Sequence, residues 1–176
     1  MEERVNATLI SKLRQCNLRT LTLRNSTRTP TGISRKDETM AGIKIWPADK
    51  WVSLCVRERA ENVCERCGGT GGLSCAHYQG RGAWETRFLP ENLWSLCMGC
   101  HSYLDSRKVN FKEFFIEKRG ILTYDVVVEK SHDIMLGKEN RRNKAEIAEH
   151  YREEYESMLL KRSYGLTGWL DFIGFT

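Results

Sequence analysis

The chain has 176 residues, 40% of them hydrophobic and 29% charged, and a formal net charge of +5. That length suits one domain with a modest core, and the charge leans towards a polyanionic partner. No apolar run approaches the roughly 18 residues of a membrane span and no apolar signal segment is visible, so neither a membrane protein nor a secreted disulfide scaffold is expected. The expected location is cytoplasmic, with reduced thiols.

In chain order, residues 1–42 read as a basic, weakly structured arm. Arg4, Lys12, Arg14, Arg19, Arg24, Arg28, Arg35 and Lys36 fall between residues 4 and 36 with no acidic residue among them. Such an arm can lie along a phosphate backbone; a leader without function is the alternative, with Met40 a candidate natural start. Ile43 to Trp46 is a short strand-like run. Pro47 then opens a helix to about Ala60, with Trp51, Leu54 and Cys55 on one face.

The helix delivers the chain into Cys64-Glu-Arg-Cys67 and a glycine-rich turn. Leu73 to Tyr78 reads as a strand, Phe88 to Leu89 as the beginning of a return strand, and Pro90-Glu91-Asn92 as a turn. Leu93 to Leu96 leads into Cys97-Met-Gly-Cys100, and a helix is expected from Met98 to about Ser106. Residues 43–122 would form this core, leaving 123–176 as a helical region with an apolar tail. In this part Asn110 is read as the cap of a helix over Phe111 to Arg119, stopped by Gly120, and Thr123 as the cap of another to about Leu136. Gly137 to Arg142 reads as a charged link. Asn143 to Glu146 resembles a capping box that opens a long helix to Ser163. Ile147, Ala148, Tyr151, Tyr155, Met158 and Leu159 form its apolar stripe. The tail gathers Trp169, Leu170, Phe172, Ile173 and Phe175, and is expected to fold back or to dock on a second subunit.

Two Cys-x-x-Cys pairs separated by about thirty residues suit a tetrahedral zinc site of Cys64, Cys67, Cys97 and Cys100. A closed site of that kind needs no histidine, which leaves His77 and His101 over. Cys97-Met-Gly-Cys100-His101 also matches the attachment string of c-type haems, but export is not signalled and Cys64 and Cys67 stay unexplained. The glycine-rich first pair matches one repeat of the zinc region of DnaJ-type chaperones, yet the second pair lacks the glycines.

Taken together, Ser74-Cys-Ala-His77-Tyr, Pro90-Glu-Asn92-Leu and Leu96-Cys97-Met-Gly-Cys100-His101 resemble the HNH, or ββα-metal, nucleases of the four-cysteine zinc type. The segment from Cys64 to about Gly120, with Arg87-Phe88-Leu-Pro-Glu-Asn92, looks more narrowly like the NinG (Rap) recombination endonucleases of lambdoid phages. The resemblance implies an α+β, mostly helical fold with a zinc-stapled ββα core. It implies a metal-dependent DNA endonuclease acting in phage or prophage recombination, in a bacterial host, on branched or junction DNA. A homodimer would suit two cuts on such a substrate. By the same resemblance the catalytic residues are His77, Asn92 and His101.

Phosphodiester cleavage needs a base to activate water and a cation to stabilise developing charge. His77 is expected to be the base, and Asn92 to fix the loop or orient His77. His101 would ligate a catalytic Mg2+ or Mn2+, with Asp105, one turn later, able to add an oxygen ligand. The family usually has Asp or His directly before the base, where this chain has Ala76. Arg81 and Arg87 are expected to grip phosphates of the DNA. The alternatives are an HNH homing or packaging endonuclease on duplex DNA, and a zinc-dependent DNA-binding module without cleavage.

Overall fold

The computed structural model describes residues 44–175. The basic arm, Met40 and the start of the strand expected at Ile43 lie outside the described residues. Lys44 to Trp46 form no strand; they lead directly into helix α1, Pro47–Arg59, where proline occupies the first turn. Proline suits that place because its fixed φ fits a helix and its missing N–H would have had no partner there. The buried face of α1 is Ala48, Val52, Cys55, Val56 and Arg59, a helical spacing; Trp51 and Leu54 are only half buried.

Strands β1 (Leu73–His77) and β2 (Leu93–Cys97) pair antiparallel, with His77 opposite Leu93 and Leu73 opposite Cys97. The return strand therefore begins at Leu93, not at Phe88. Phe88 is buried and Leu89 accepts the turn hydrogen bond from Asn92 N, because Pro90–Asn92 forms a single 3-10 turn that reverses the chain. Helix α2, Met98–Asp105, follows β2 without a linker.

Four more helices complete the chain among the described residues: α3 (Lys108–Arg119), α4 (Ile121–Lys130), α5 (Ile134–Arg142) and α6 (Lys144–Ser163). Three expectations need correction here. Asn110 lies inside α3, donating from Nδ2 to the Tyr103 hydroxyl at 3.2 Å, so it is no cap. Thr123 lies inside α4, which begins directly after Gly120 at φ +82°, a conformation open to glycine. The charged stretch Gly137 to Arg142 is helical, because Asp133 caps α5 through Oδ1, accepting from Leu136 N at 3.0 Å. Asn143 precedes α6 as expected, but its side chain makes no capping hydrogen bond.

The fold is thus mostly helical with one small antiparallel sheet, and the ribbon lies between two cores. Cys75 and Leu93 face a core of α1, α6, Phe88 and Phe172. Ala76, Trp94 and Leu96 face a core of Phe111, Phe114, Phe115, Leu104 and Val127. In the core beside α1, α6 contributes Ile147, Tyr151 and Met158, while Leu159 is exposed. The tail folds back onto this core. Phe172 is buried, and Leu170 and Phe175 pack against it, though Trp169 and Ile173 stay exposed. Gly165 at φ +84° makes the turn out of α6. No helix among the described residues is long and apolar enough to cross a membrane.

Candidate functional site

The four cysteines of the two knuckles converge. The sulfurs of Cys64, Cys67, Cys97 and Cys100 all lie within 4.8 Å of one another. Tetrahedral sulfurs at about 2.3 Å from a zinc ion stand about 3.8 Å apart, and Cys67 and Cys97 are separated by 3.8 Å. The cluster can hold a metal such as zinc. The first knuckle is shaped by its own backbone: Gly68 N donates to Cys64 O, and Cys64 N to Gly69 O, each at 2.8 Å. Gly68 stands at φ +73°, which an L side chain would strain. Although burial opposes it, backbone N–H groups of Cys97, Cys67 and Arg66 bring the Cys64 thiol down to about 7. Burial pushes the Cys100 thiol the other way, up to about 12; a dication between the four sulfurs would relieve the repulsion of their thiolates. Among the described residues this is the one group of three or more side chains with metal-binding geometry.

A different set of residues meets beside β1. Cys75 and His77 of the strand, Gly80 and Arg81 of the following loop, and His101, Asp105 and Lys108 of the helical side line a cleft of about 500 Å³. His77, 7% exposed, forms a hydrogen bond from Nε2 to the Arg87 carbonyl at 3.2 Å. A carbonyl only accepts, so Nε2 carries the proton and Nδ1 is left as a bare acceptor. Burial pushes the imidazole down to about 4, and the Arg81 charge pushes in the same direction. His77 is therefore neutral at physiological pH. Cys75 lies deep in the wall, its thiol raised to about 12 by burial, and is inert at neutral pH.

His101 is held at both ring nitrogens, with Nδ1 2.9 Å from the Ser74 hydroxyl and Nε2 3.0 Å from Asp105 Oδ2. Adjacent ligand atoms around an octahedral ion at about 2.1 Å also stand about 3 Å apart. The His101–Asp105 pair thus has the spacing of a two-ligand cation platform as well as that of a hydrogen bond. Lys108 Nζ approaches the other Asp105 oxygen at 3.8 Å.

Asn92 does one of the two jobs expected of it, while Arg87 does other work. Asn92, fully buried, spends its amide on the loop: Oδ1 accepts from Gln79 N at 2.7 Å, and Nδ2 donates to Gln79 O at 3.0 Å and Thr86 O at 2.9 Å. It fixes the loop that ends in β2 and does not line the cleft. Arg87 was expected beside a phosphate and is instead 1% exposed. Its Nε and Nη2 grip Asp49 at 2.9 and 2.8 Å, Nη1 donates to the Arg81 carbonyl, and Nη2 also donates to that of Lys44. A guanidinium so enclosed is a structural tie between α1 and the loop. Arg81 does line the cleft, and its Nε is buried with no partner.

Sequence reasoning missed Lys108 and Ser74, whose places depend on how α2 and α3 fold against β1. It also missed Glu65, which receives Arg59 at 3.2 Å, Arg119 at 2.9 Å and the Ser95 amide at 2.7 Å. Both arginines donate as well to the carbonyls of Pro90 and Leu93. Burial lowers Arg119 to about 10, still charged at neutral pH. The first knuckle is thereby bonded to the turn before β2. Compared with protein families, curated proteins and solved structures, the chain matches none.

Proposed function

We propose that the chain is a metal-dependent endonuclease of the ββα-metal type, hydrolysing phosphodiester bonds of DNA. The observation that carries this reading is the cleft, which an uncharged histidine with a bare Nδ1 lines together with a His–Asp pair and two cations, Arg81 and Lys108. In this reading Nδ1 of His77 takes the proton of the attacking water. A neutral imidazole can do so at physiological pH, and its fixed Nε2 hydrogen bond keeps the acceptor aimed. Arg81 and Lys108 offer positive charge for the phosphate.

His101 and Asp105 are the residues that would hold a divalent ion such as Mg2+ or Mn2+, which stabilises charge on phosphate and leaving oxygen when bound. The four-cysteine cluster takes the zinc and serves as a staple, because its ligand set is closed. The HNH and NinG (Rap) resemblance supports the same assignment and suggests branched or junction DNA of phage or prophage recombination. A second reading, a zinc-dependent DNA-binding module without cleavage, draws on the hydrogen bonds that occupy both nitrogens of His101.

The test is cleavage of a supercoiled plasmid and a synthetic four-way junction with Mg2+ or Mn2+. His77→Ala should slow cutting about 10²–10⁴-fold, as removal of a general base does, with zinc content unchanged. Undiminished cutting by that variant, or none by the native chain, sinks the nuclease reading.

A further inference from the structure

The loop between the strands serves a second cluster besides the cleft. Trp84 meets Trp46 edge to face, ring centroids 6.4 Å apart. Cations crowd these two half-buried rings. Lys44 Nζ lies 4.2 Å and Lys144 Nζ 4.4 Å from the Trp46 centroid, while Arg141 lies 5.6 Å from that of Trp84. Lys44 and Arg141 are exposed. The nearby Glu85 carboxylate lies against Gly137 of α5, and Asp49 is consumed by Arg87. With Arg87 on Trp84, four cations surround this indole pair.

We propose that this corner is a stacking platform for the unpaired bases of a nucleic-acid strand, with Lys44, Arg141 and Lys144 neutralising the flanking phosphates. Magnitudes favour it. A solvent-exposed cation over an indole gains about 0.5–1 kcal/mol, whereas a base stacked on an aromatic ring gains about 1–3 kcal/mol. A base therefore displaces Lys44 from the Trp46 face, and the freed ammonium keeps its value by moving to a phosphate. Trp46 is the principal ring, because Trp84 has the buried Arg87 guanidinium 4.7 Å from its centroid. Arg87 also fixes the geometry, tying the carbonyls of Lys44 and Arg81 to one guanidinium. Arg81 and Trp84 are three residues apart, at most about 10 Å of chain, so one loop serves both the cleft and the platform. The proposal deepens the nuclease reading by naming unpaired nucleotides beside the cut, and it is tested by binding alone.

The experiment measures fluorescence anisotropy of labelled oligothymidylate, oligouridylate, an abasic oligomer and a duplex of equal length with the full chain. Bases should matter: native protein should bind oligothymidylate about 5- to 150-fold more tightly than the abasic strand, the value of one stacked base. Trp46→Ala should erase that preference, with zinc content unchanged and the chain still folded. Arg141→Ala and Lys144→Ala should weaken all strands alike and lower the salt slope by about one each. Equal or tighter binding of oligouridylate assigns the platform to single strands of either sugar. Equal binding of base-bearing and abasic strands by native protein, tighter binding of the duplex, or an unaltered preference in Trp46→Ala overturns the proposal. His77→Ala should keep the preference, so failure of cleavage and failure of stacking are read separately.

Discussion

On one face of the β1–β2 ribbon, Ala76, Trp94 and Leu96 pack with three phenylalanines and the buried thiols of Cys64 and Cys100. On the other, Cys75 and Leu93 pack with α1, α6 and Phe172 of the tail. The first core includes Cys64 and Cys100, two of the four cysteines that can hold a metal, so an ion bound there would tie its packing to both knuckles. The second is closed by side chains alone: an aliphatic helix pair, with Tyr151 donating its hydroxyl to the Phe88 carbonyl and accepting from Phe175 N at 3.2 Å. The cleft borders the first core through α2 and is anchored to the second through Cys75. Its geometry therefore depends on both.

Removing the metal should give the largest effect and separate the two cores. Structural zinc contributes on the order of 10 kcal/mol to small domains. Chelation, or Cys97→Ala, should abolish exchange protection of β2 and α2 while α1 and α6 retain more of theirs. Equal loss in both would show one cooperative unit; protection unchanged in both would show that the cluster holds no structural metal.

Acid should act next, through His77. Its pKa of about 4 in the folded chain lies below the ordinary 6.5, so the unfolded chain binds the extra proton. Stability from this group is complete above about pH 6.5 and falls as pH drops towards 4, by about 3 kcal/mol at most. Comparing pH-dependent melting of native protein and His77→Gln isolates this part from acid loss of zinc. Parallel curves would mean that His77 titrates alike in both states.

The smallest change probes the zinc-independent core. Tyr151→Phe leaves the Phe88 carbonyl and the Phe175 amide without their partner and should cost about 1–3 kcal/mol. Denaturant unfolding should show it, with zinc content and exchange protection of α2 unaltered. Any loss of zinc affinity would mean that the cores communicate through the ribbon.

What the sequence made legible was local. The cysteine spacing, Pro47, the β1 strand and the run from Asn143 to Ser163 each follow from rules a few residues wide. The misplaced boundaries share one cause: Asn110, Thr123 and Gly137 look like punctuation, yet each lies inside a helix whose start is set by another residue or by packing. In the cleft, His77, His101, Asp105 and Arg81 were legible by residue type and order. Arg87 was not, because its partner Asp49 is 38 residues away and the pair is recognisable only once α1 packs against the loop. Arg119 on Glu65 was hidden for the same reason, a pair 54 residues apart, and Lys108 enters the cleft only once α3 folds against β1.

The Glu65 network has an electrostatic consequence. Four thiolates around a dication leave two uncompensated negative charges in a partly buried place. Arg66 donates to Cys100 Sγ at 3.5 Å, and Arg59 and Arg119 together exceed Glu65 by one positive charge. Arg66, bonded to a sulfur, would offset part of the negative charge of a loaded centre. Such compensation lowers the electron density the sulfurs offer to protons and oxidants, which suits an inert staple. Exchanging Arg66 for a neutral residue would tip that balance and make the thiolates easier to protonate or oxidise.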